Sequence, residues 1–425
     1  MNHQELSSFK QKALLWATQF EICCCFDSNG YTDTYSGFDF LLAADVQHEL
    51  HTPSGTAFDQ LKAFHTAHRN WIFGMLSYDL KNEIEQLHSA HENTLDFPDL
   101  FFFVPKFLLA VKDGQIHILI GPIDLALQIE QFCMEKAPSA TPAESKRQLK
   151  ITSRIDRNTY LQKVEELRAY IARGYIYEVN FCQEFFAENA YINPYDVYSH
   201  LTKLSPTPFA GFFKVRESYI LSASPERFLC KRGDQLISQP IKGTAKRSQD
   251  PQEDERIKQE LQNNTKEQAE NVMIVDLVRN DLTKTAVPGT VKVNELFGIY
   301  SFPQVHQMIS TISSTLHPDI HPVDAIRHTF PMGSMTGAPK IRAMELIEKI
   351  ECSRRGMYSG AFGYIDPTGD FDFNVIIRSI LYNAKKHYLS FQVGGAITYA
   401  SSAAAEYEEC LLKASAIVKT LKDIS

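Results

Sequence analysis

Lys242, in the segment Pro240-Ile241-Lys242-Gly243-Thr244, carries an amine that can attack carbon once it is unprotonated. A solitary lysine in such a turn is a solvated charge. It becomes a candidate nucleophile in the company of a metal site and an anion-binding loop, and the chain offers material for both. Glu267 and Glu270 stand three apart, as do Glu406 and Glu409. On a helix that spacing puts both members of a pair on one face, where they can offer oxygen ligands to a hard divalent cation. Either pair alone is an ordinary feature, acids favoured near a helix start or a solvated face. Strong apolar residues flank both, however: Val272, Ile274 and Val275 in one helix, Leu411, Ala414 and Ile417 in the other. Such helices pack, and acids at their inner margin need a counter-charge. Magnesium, which takes one or two carboxylates and keeps water or substrate oxygens in its other positions, is suitable.

Other residues extend the set. Pro331 to Lys340 (PMGSMTGAPK) places two glycines and small residues before a helix, whose free backbone donors make an anion site. It lacks the glycine spacing of a P-loop, which disfavours a nucleoside triphosphate. Gly394-Gly395-Ala396 after a strand marks close approach of a ligand or of another backbone. Arg378, in the apolar run Phe371 to Leu381, is costly to bury without a carboxylate. That partner is either a protein acid or a substrate carboxylate held bidentately. Glu226, at a turn in Ser222-Ala-Ser-Pro-Glu-Arg-Phe228, becomes a proton donor if burial raises its pKa. His306 has no metal-ligand spacing with another histidine and reads as structural.

The elements that must position these residues follow from pattern. Helical periodicity predicts a helix over 156–172. Helix starts are expected at Asp250-Pro251 and at Thr265, the latter with Gln268 completing a capping box and the helix running to about Asn280. The last helix is expected from Ser401 or Ser402 to about Lys419. Strands are expected over 184–191, 211–221, 360–365, 371–381 and 388–393. The first 136 residues read as strands with some helix. Lys136 to Lys146, small and proline-bearing, is the linker candidate, so the expected division is 1–148 and 149–425.

Composition narrows the classes. With 425 residues, the chain can form a large core or two to three domains. A net charge of −8 offers no basic field for nucleic acid. No apolar run approaches a membrane span and the start lacks a signal-peptide pattern, so a cytoplasmic protein is expected. The eight cysteines include no C-x-x-C pair, which argues for free thiols and against zinc or dithiol chemistry.

The segments SASPERF, PIKGT, AENVMIVDLVRNDL, GSMTGAPK, SGAFGYID, NVIIRSI and AAAEYEE, in this order across roughly residues 150–425, resemble the chorismate-utilising enzymes. WIFGMLSYDL is similar to a segment of the N-terminal regions of their anthranilate and aminodeoxychorismate branches, and lysine in PIKGT resembles the aminodeoxychorismate branch. The resemblance implies an α+β fold with antiparallel sheets forming a sandwich, helices packed outside, the site in the cleft and the two halves interleaved. It implies Mg2+ held by Glu270 and Glu409 with Glu267 and Glu406 beside them, and Thr336, Tyr358, Arg378, Gly394 and Gly395 as substrate-binding positions. Lys242 is then the nucleophile and Glu226 the acid in amination of chorismate to 4-amino-4-deoxychorismate. The amine must be unprotonated near neutral pH, which burial and the nearby Lys246 and Arg247 are expected to favour. Ammonia is expected from a separate glutamine amidotransferase subunit, since no Gly-x-Cys-x-Gly elbow occurs, and conversion to 4-aminobenzoate, toward folate, from another enzyme. Two positions depart from the family pattern: Gln307 stands where many relatives have histidine, one place after His306, and Ala396 where many have glycine. The rival enzymatic reading is anthranilate synthase component I, with isochorismate or salicylate synthase beyond it. A catalytically silent chorismate-binding subunit is the reading from another class.

Overall fold

The computed structural model of the chain describes residues 3–135, 149–302 and 305–424, so the linker expected at 136–146 lies outside the described residues. Among the described residues nineteen strands join into one hydrogen-bonded network, every pairing antiparallel. The expected α+β class with antiparallel sheet is what the chain adopts.

Alternation of side chains explains how one network serves two cores. In the strand Ile22–Asp27, Cys24 points into one apolar cluster while Cys23 and Cys25 point into the other. All three are buried free thiols, as are most of the eight. The network folds back on itself, so Phe26 stacks on Phe362 of the strand Ala361–Ile365, which is not its ladder neighbour, with ring centroids 5.3 Å apart. Phe101 and Phe103 meet Phe213 edge-on at 6.3 and 6.1 Å. These rings form a face-to-face core between sheet layers. Helices His3–Ala17, Arg157–Ala172, Pro194–Leu204 and Ala403–Ile424 cover the second cluster from outside.

The first and later parts of the chain share this sheet. Ile22–Asp27 pairs with Phe209–Val215, and Ile72–Leu76 pairs with Ala361–Ile365. No helix among the described residues is long and apolar enough to cross a membrane.

Several boundaries differ from expectation. The run 211–221 is a hairpin, Phe209–Val215 and Ser218–Ser224, turning at Arg216 with φ 53°. The helix Thr265–Thr283 is capped by Asn264, whose side chain accepts from the Lys266 and Glu267 amides, so Thr265 is its first residue and no Thr265–Gln268 capping box forms. Gly394 and Gly395 lie inside the strand Tyr388–Ile397, not after it. The run 371–381 breaks into Phe371–Val375 and Ser379–Asn383, and that break shapes the site.

Candidate active site

Lys242 reaches the interior through a bulge. The strand Ile241–Lys246 pairs with Val305–Thr315, but the register shifts between Ile241 and Thr244. An extra residue in a ladder bends the strand and re-aims a side chain. Gly243 makes the bulge possible, with φ 91°, and a Cβ there would lie 3.2 Å from Glu267 Oε2. Lys242 thereby points into a cavity of about 1050 Å³ whose wall includes Glu226, Glu270, Tyr358, Arg378 and Glu409.

Its amine donates to Glu178 Oε1 at 2.6 Å, and both side chains are buried. Burial opposes the lysine's charge, yet Glu178, then Glu270 and Glu226, outweigh it and hold the amine's pKa above its ordinary value. The resting lysine is therefore an ammonium, contrary to the sequence-based expectation. Lys246 and Arg247 border the same cavity, but Arg247 is bound by Asp254 at 2.7 Å and the acids dominate.

Glu226 sits at the turn between Ser218–Ser224 and Arg227–Arg232. Its neighbour Arg227, 1% exposed, pins the turn through Asp372 at 2.9 Å and Asp33 at 2.6 Å. Burial drives the Glu226 carboxyl up to about 7, against the Ser334 hydroxyl that donates to its Oε1 at 2.5 Å and against the charges of Lys242 and Arg378. A group so poised is a proton donor near neutrality.

Arg378 owes its aim to the break in the strand. It adopts φ 49°, and the bend turns it to the cavity. Among the described residues no acceptor takes a hydrogen bond from its guanidinium. Burial lowers its pKa, with Glu226 the opposing charge. Tyr358, Gly394 and Gly395 line the same space. Gly394 is required by packing, since a Cβ would sit 2.1 Å from the Phe181 carbonyl oxygen.

The two acid pairs meet across the cavity from helices Thr265–Thr283 and Ala403–Ile424. Burial raises Glu270 to about 7 and also raises Glu267 and Glu406, whereas Lys413, 2.8 Å away, lowers Glu409. Lys266 stands between the helices, 3.7 Å from Glu270 and 4.0 Å from Glu406. Among the described residues no three acidic, histidine or cysteine side chains already converge on a metal position. The donor set still fits a hard cation: all-oxygen ligands, a lysine ammonium occupying the gap, and Glu270 Oε1 buried with no hydrogen-bond partner.

One expected substrate-binding residue falls elsewhere. Thr336 is fully buried, its hydroxyl donating to the Met332 and Gly333 carbonyls, and Ser334 of the same loop lines the cavity instead. His306 packs between Ser301 and Asp254, while Gln307 faces the cavity. Sequence reasoning placed Lys413 on one helix face with Glu406 and Glu409 but missed Glu178, Lys266 and Ser334. Lys266 was findable as a partner four residues from Glu270, whereas Glu178 opens a strand that also carries Asn180, Gln183 and Glu184 and has no local signal of its own.

The family model described as chorismate binding enzyme matches residues 16–419. The chain belongs to that family. It is 36% identical over 355 residues, 82% of this chain and 76% of the relative, to aminodeoxychorismate synthase component 1 of Salmonella typhimurium strain LT2. It is 33% identical to anthranilate synthase component 1 of Thermus thermophilus, over 83% of this chain and 77% of that one. The crystal structure of anthranilate synthase component I from Streptococcus pneumoniae TIGR4 superposes with a TM-score of 0.76 at 27% identity, covering 89% of this chain and 91% of that one.

Proposed function

We propose that this enzyme aminates chorismate with ammonia to 4-amino-4-deoxychorismate through a covalent adduct on Lys242, a step toward 4-aminobenzoate and folate. The observation that carries the reading is the Lys242 amine in the cavity that also holds Glu226, a carboxyl poised near neutral pH. Hydroxide is a poor leaving group and must be protonated as it departs. Glu226 supplies that proton to the para hydroxyl while Lys242 adds to the ring. Ammonia then adds where the hydroxyl stood and expels the lysine, and the enolpyruvyl group stays in place. Arg378, with no protein acceptor among the described residues, holds a substrate carboxylate by paired charge-assisted bonds. Tyr358 and the Gly394-Gly395 strand bound the ring.

Glu270 and Glu409, with Glu267 and Glu406 beside them, would hold Mg2+. Bound there, the ion neutralises a ring carboxylate that would otherwise repel electrons building up in the ring. Lys266, beside Glu270 and Glu406, balances the charge of these acids. The ammonia comes from a separate glutamine amidotransferase subunit, the enzyme is cytoplasmic, and residues 1–148 form an N-terminal region interleaved with the catalytic one.

The test is incubation with chorismate, magnesium and ammonium, with products identified by mass. Aminodeoxychorismate keeps the pyruvyl carbons and anthranilate loses them. In parallel, Lys242→Ala is expected to bind chorismate with parental affinity by calorimetry and to aminate at least about a hundredfold more slowly. Parental amination by that variant removes the covalent role.

A further inference from the structure

The covalent role of Lys242, on which this inference rests, requires one further proton transfer. The amine is held as an ammonium, and an ammonium has no lone pair to attack with. Its proton must go somewhere at the moment the ring is engaged, after substrate has closed the cavity to water.

Five carboxyl groups act on Lys242: Glu178 from the strand Glu178–Ala187, Glu226 from its turn, Glu267 and Glu270 from the helix Thr265–Thr283, and Glu409 from the helix Ala403–Ile424. The cation Lys266 stands 3.7 Å from Glu270, and Arg378 acts on Glu226. Glu226 must itself arrive protonated, so it cannot take another proton. Glu270, Glu267 and Glu409 act on the ammonium through space only. Among the described residues Glu178 is the acceptor within hydrogen-bond distance, at 2.6 Å.

Its setting suits the task. Glu178 is 1% exposed, and its second oxygen, Oε2, is buried with no hydrogen-bond partner. A carboxylate left half unbonded in a dry wall is a costly anion, and moving one proton from Lys242 neutralises both members of the pair together. Its position is fixed by backbone: Ala338 pairs with Glu178 and Gly337 with Val179. Gly337 allows that approach, with φ 150° and a Cβ that would lie 2.2 Å from the Glu178 carbonyl oxygen. Arg355 ties the same loop and strand together, donating to the Met335 and Asn180 carbonyls at 2.6 and 2.9 Å.

We propose that Glu178 is the proton shuttle of Lys242, taking the ammonium proton as the amine attacks and returning it as the amine leaves. In the first half-reaction the Lys242 proton passes to Glu178 Oε1 and the freed lone pair bonds to the ring. The ring double bond shifts, and the carbon–oxygen bond breaks with the Glu226 proton leaving in water. The products are a secondary ammonium adduct, neutral Glu178 and ionised Glu226. In the second half-reaction ammonia bonds to the ring carbon and the carbon–Lys242 bond breaks, releasing a neutral amine. Glu226 takes a proton from the incoming nitrogen and Glu178 returns its own to Lys242. Both acids end as they began, and the sum is ammonia in and water out.

The test is the pH profile of kcat for Glu178→Gln at constant free ammonia, with Glu178→Asp and Lys242→Ala beside it. Parental turnover draws on an internal base, so lysine ionisation adds no slope across neutral pH. Glu178→Gln keeps a hydrogen-bonding group of the same size but must lose the lysine proton to solvent first. Its kcat is expected to fall on the order of a hundredfold below the parent at neutral pH, and the ratio of variant to parental kcat, in which the ionisation of Glu226 cancels, to rise close to tenfold per pH unit, with KM for chorismate little changed. Glu178→Asp, which keeps a base further from the amine, is expected to be slow without that slope, a pattern that loss of packing would not produce. If Glu178→Gln turns over at the parental rate with the parental profile while Lys242→Ala is inactive, the shuttle is wrong and the covalent reading stands. If Lys242→Ala itself aminates at the parental rate, both fall.

Discussion

Glu226→Gln should make the protein more stable and, in the same stroke, nearly inactive. Carrying this carboxyl from an ordinary 4.5 to about 7 means that the fold disfavours its ionised form. At about 1.4 kcal/mol per tenfold change, that penalty is roughly 3 kcal/mol. The sign follows from proton linkage. Between the unfolded and folded pKa values the native state binds the extra proton, so the parent loses stability as pH rises from about 4.5 to about 7. Glutamine is neutral throughout, still accepts from Ser334, and forfeits nothing over that range. The variant's advantage should be near zero at pH 4.5 and grow to roughly 3 kcal/mol at pH 8. Urea unfolding of both proteins at several pH values measures this, because other titrating groups are common to the two and largely cancel. Turnover should move the other way. At pH 7 about half of the parental Glu226 carries a proton, against about one in three hundred for an unshifted acid. Removing the donor should cost on the order of a hundredfold or more in kcat. A stability gap of the same size at pH 5 and pH 8 would refute the claim that burial holds this carboxyl neutral. Parental turnover would refute its role as the acid.

Arg378→Met should raise the chorismate KM on the order of tenfold to a hundredfold, the worth of a charge-assisted pair, while urea unfolding shows no loss of stability, because no protein acceptor among the described residues is abandoned. Glu270→Gln should weaken magnesium binding by at least about tenfold in calorimetric titration with chorismate present, since it withdraws one of the few carboxylates a magnesium ion uses. Asn264→Ala removes the acceptor for the Lys266 and Glu267 amides and should cost about 1 kcal/mol in urea unfolding. Gly337→Ala forces a side chain onto the Glu178 carbonyl at φ 150°; it should destabilise the fold and slow amination more than it weakens chorismate binding, checked by unfolding and by kcat against KM.

Several helices were legible because their signals are local, whereas the antiparallel α+β class followed from the resemblance carried by the motifs. Asp250-Pro251 and the periodic run from residue 157 announce themselves within a turn or two, and the helices Pro251–Gln262 and Arg157–Ala172 form as expected. What escaped depends on partners far along the chain. Nothing in Ile376-Ile377-Arg378 signals a break. The kink exists because the Ile376 amide bonds the Gly360 carbonyl and the Ser359 amide bonds the Ile376 carbonyl. The hairpin at Arg216-Glu217 likewise lacks glycine, asparagine or proline. Thr336 and Ser334 are near neighbours with similar chemistry, and only the fold decides which hydroxyl turns inward. The resting charge of Lys242 could not be read from Lys246 and Arg247, because the acid that governs it, Glu178, lies sixty-four positions away.

Burial acts on every charged group in this cavity, but the outcome differs with the partner. Glu226 and Glu270 have no cation in hydrogen-bond contact, so desolvation prevails and both rise to about 7. Lys242 and Glu409 each have an opposite charge within hydrogen-bond distance, at 2.6 and 2.8 Å, and in both the charged form prevails. The cavity thus keeps an acid ready to give a proton and an amine not yet able to attack. An always-neutral lysine would be open to any electrophile that entered. A lysine paired with an internal carboxylate loses its proton most readily when substrate has excluded water and the ion pair has lost its screening. Reactivity is then coupled to occupancy, and electrophilic probes put this to the test. A small amine-reactive reagent should label Lys242 slowly in the empty protein at neutral pH and faster in Glu178→Gln, where the counter-charge is gone and the amine's pKa falls. Equal labelling rates in parent and variant, followed by mass mapping, would show that the ion pair does not restrain the amine.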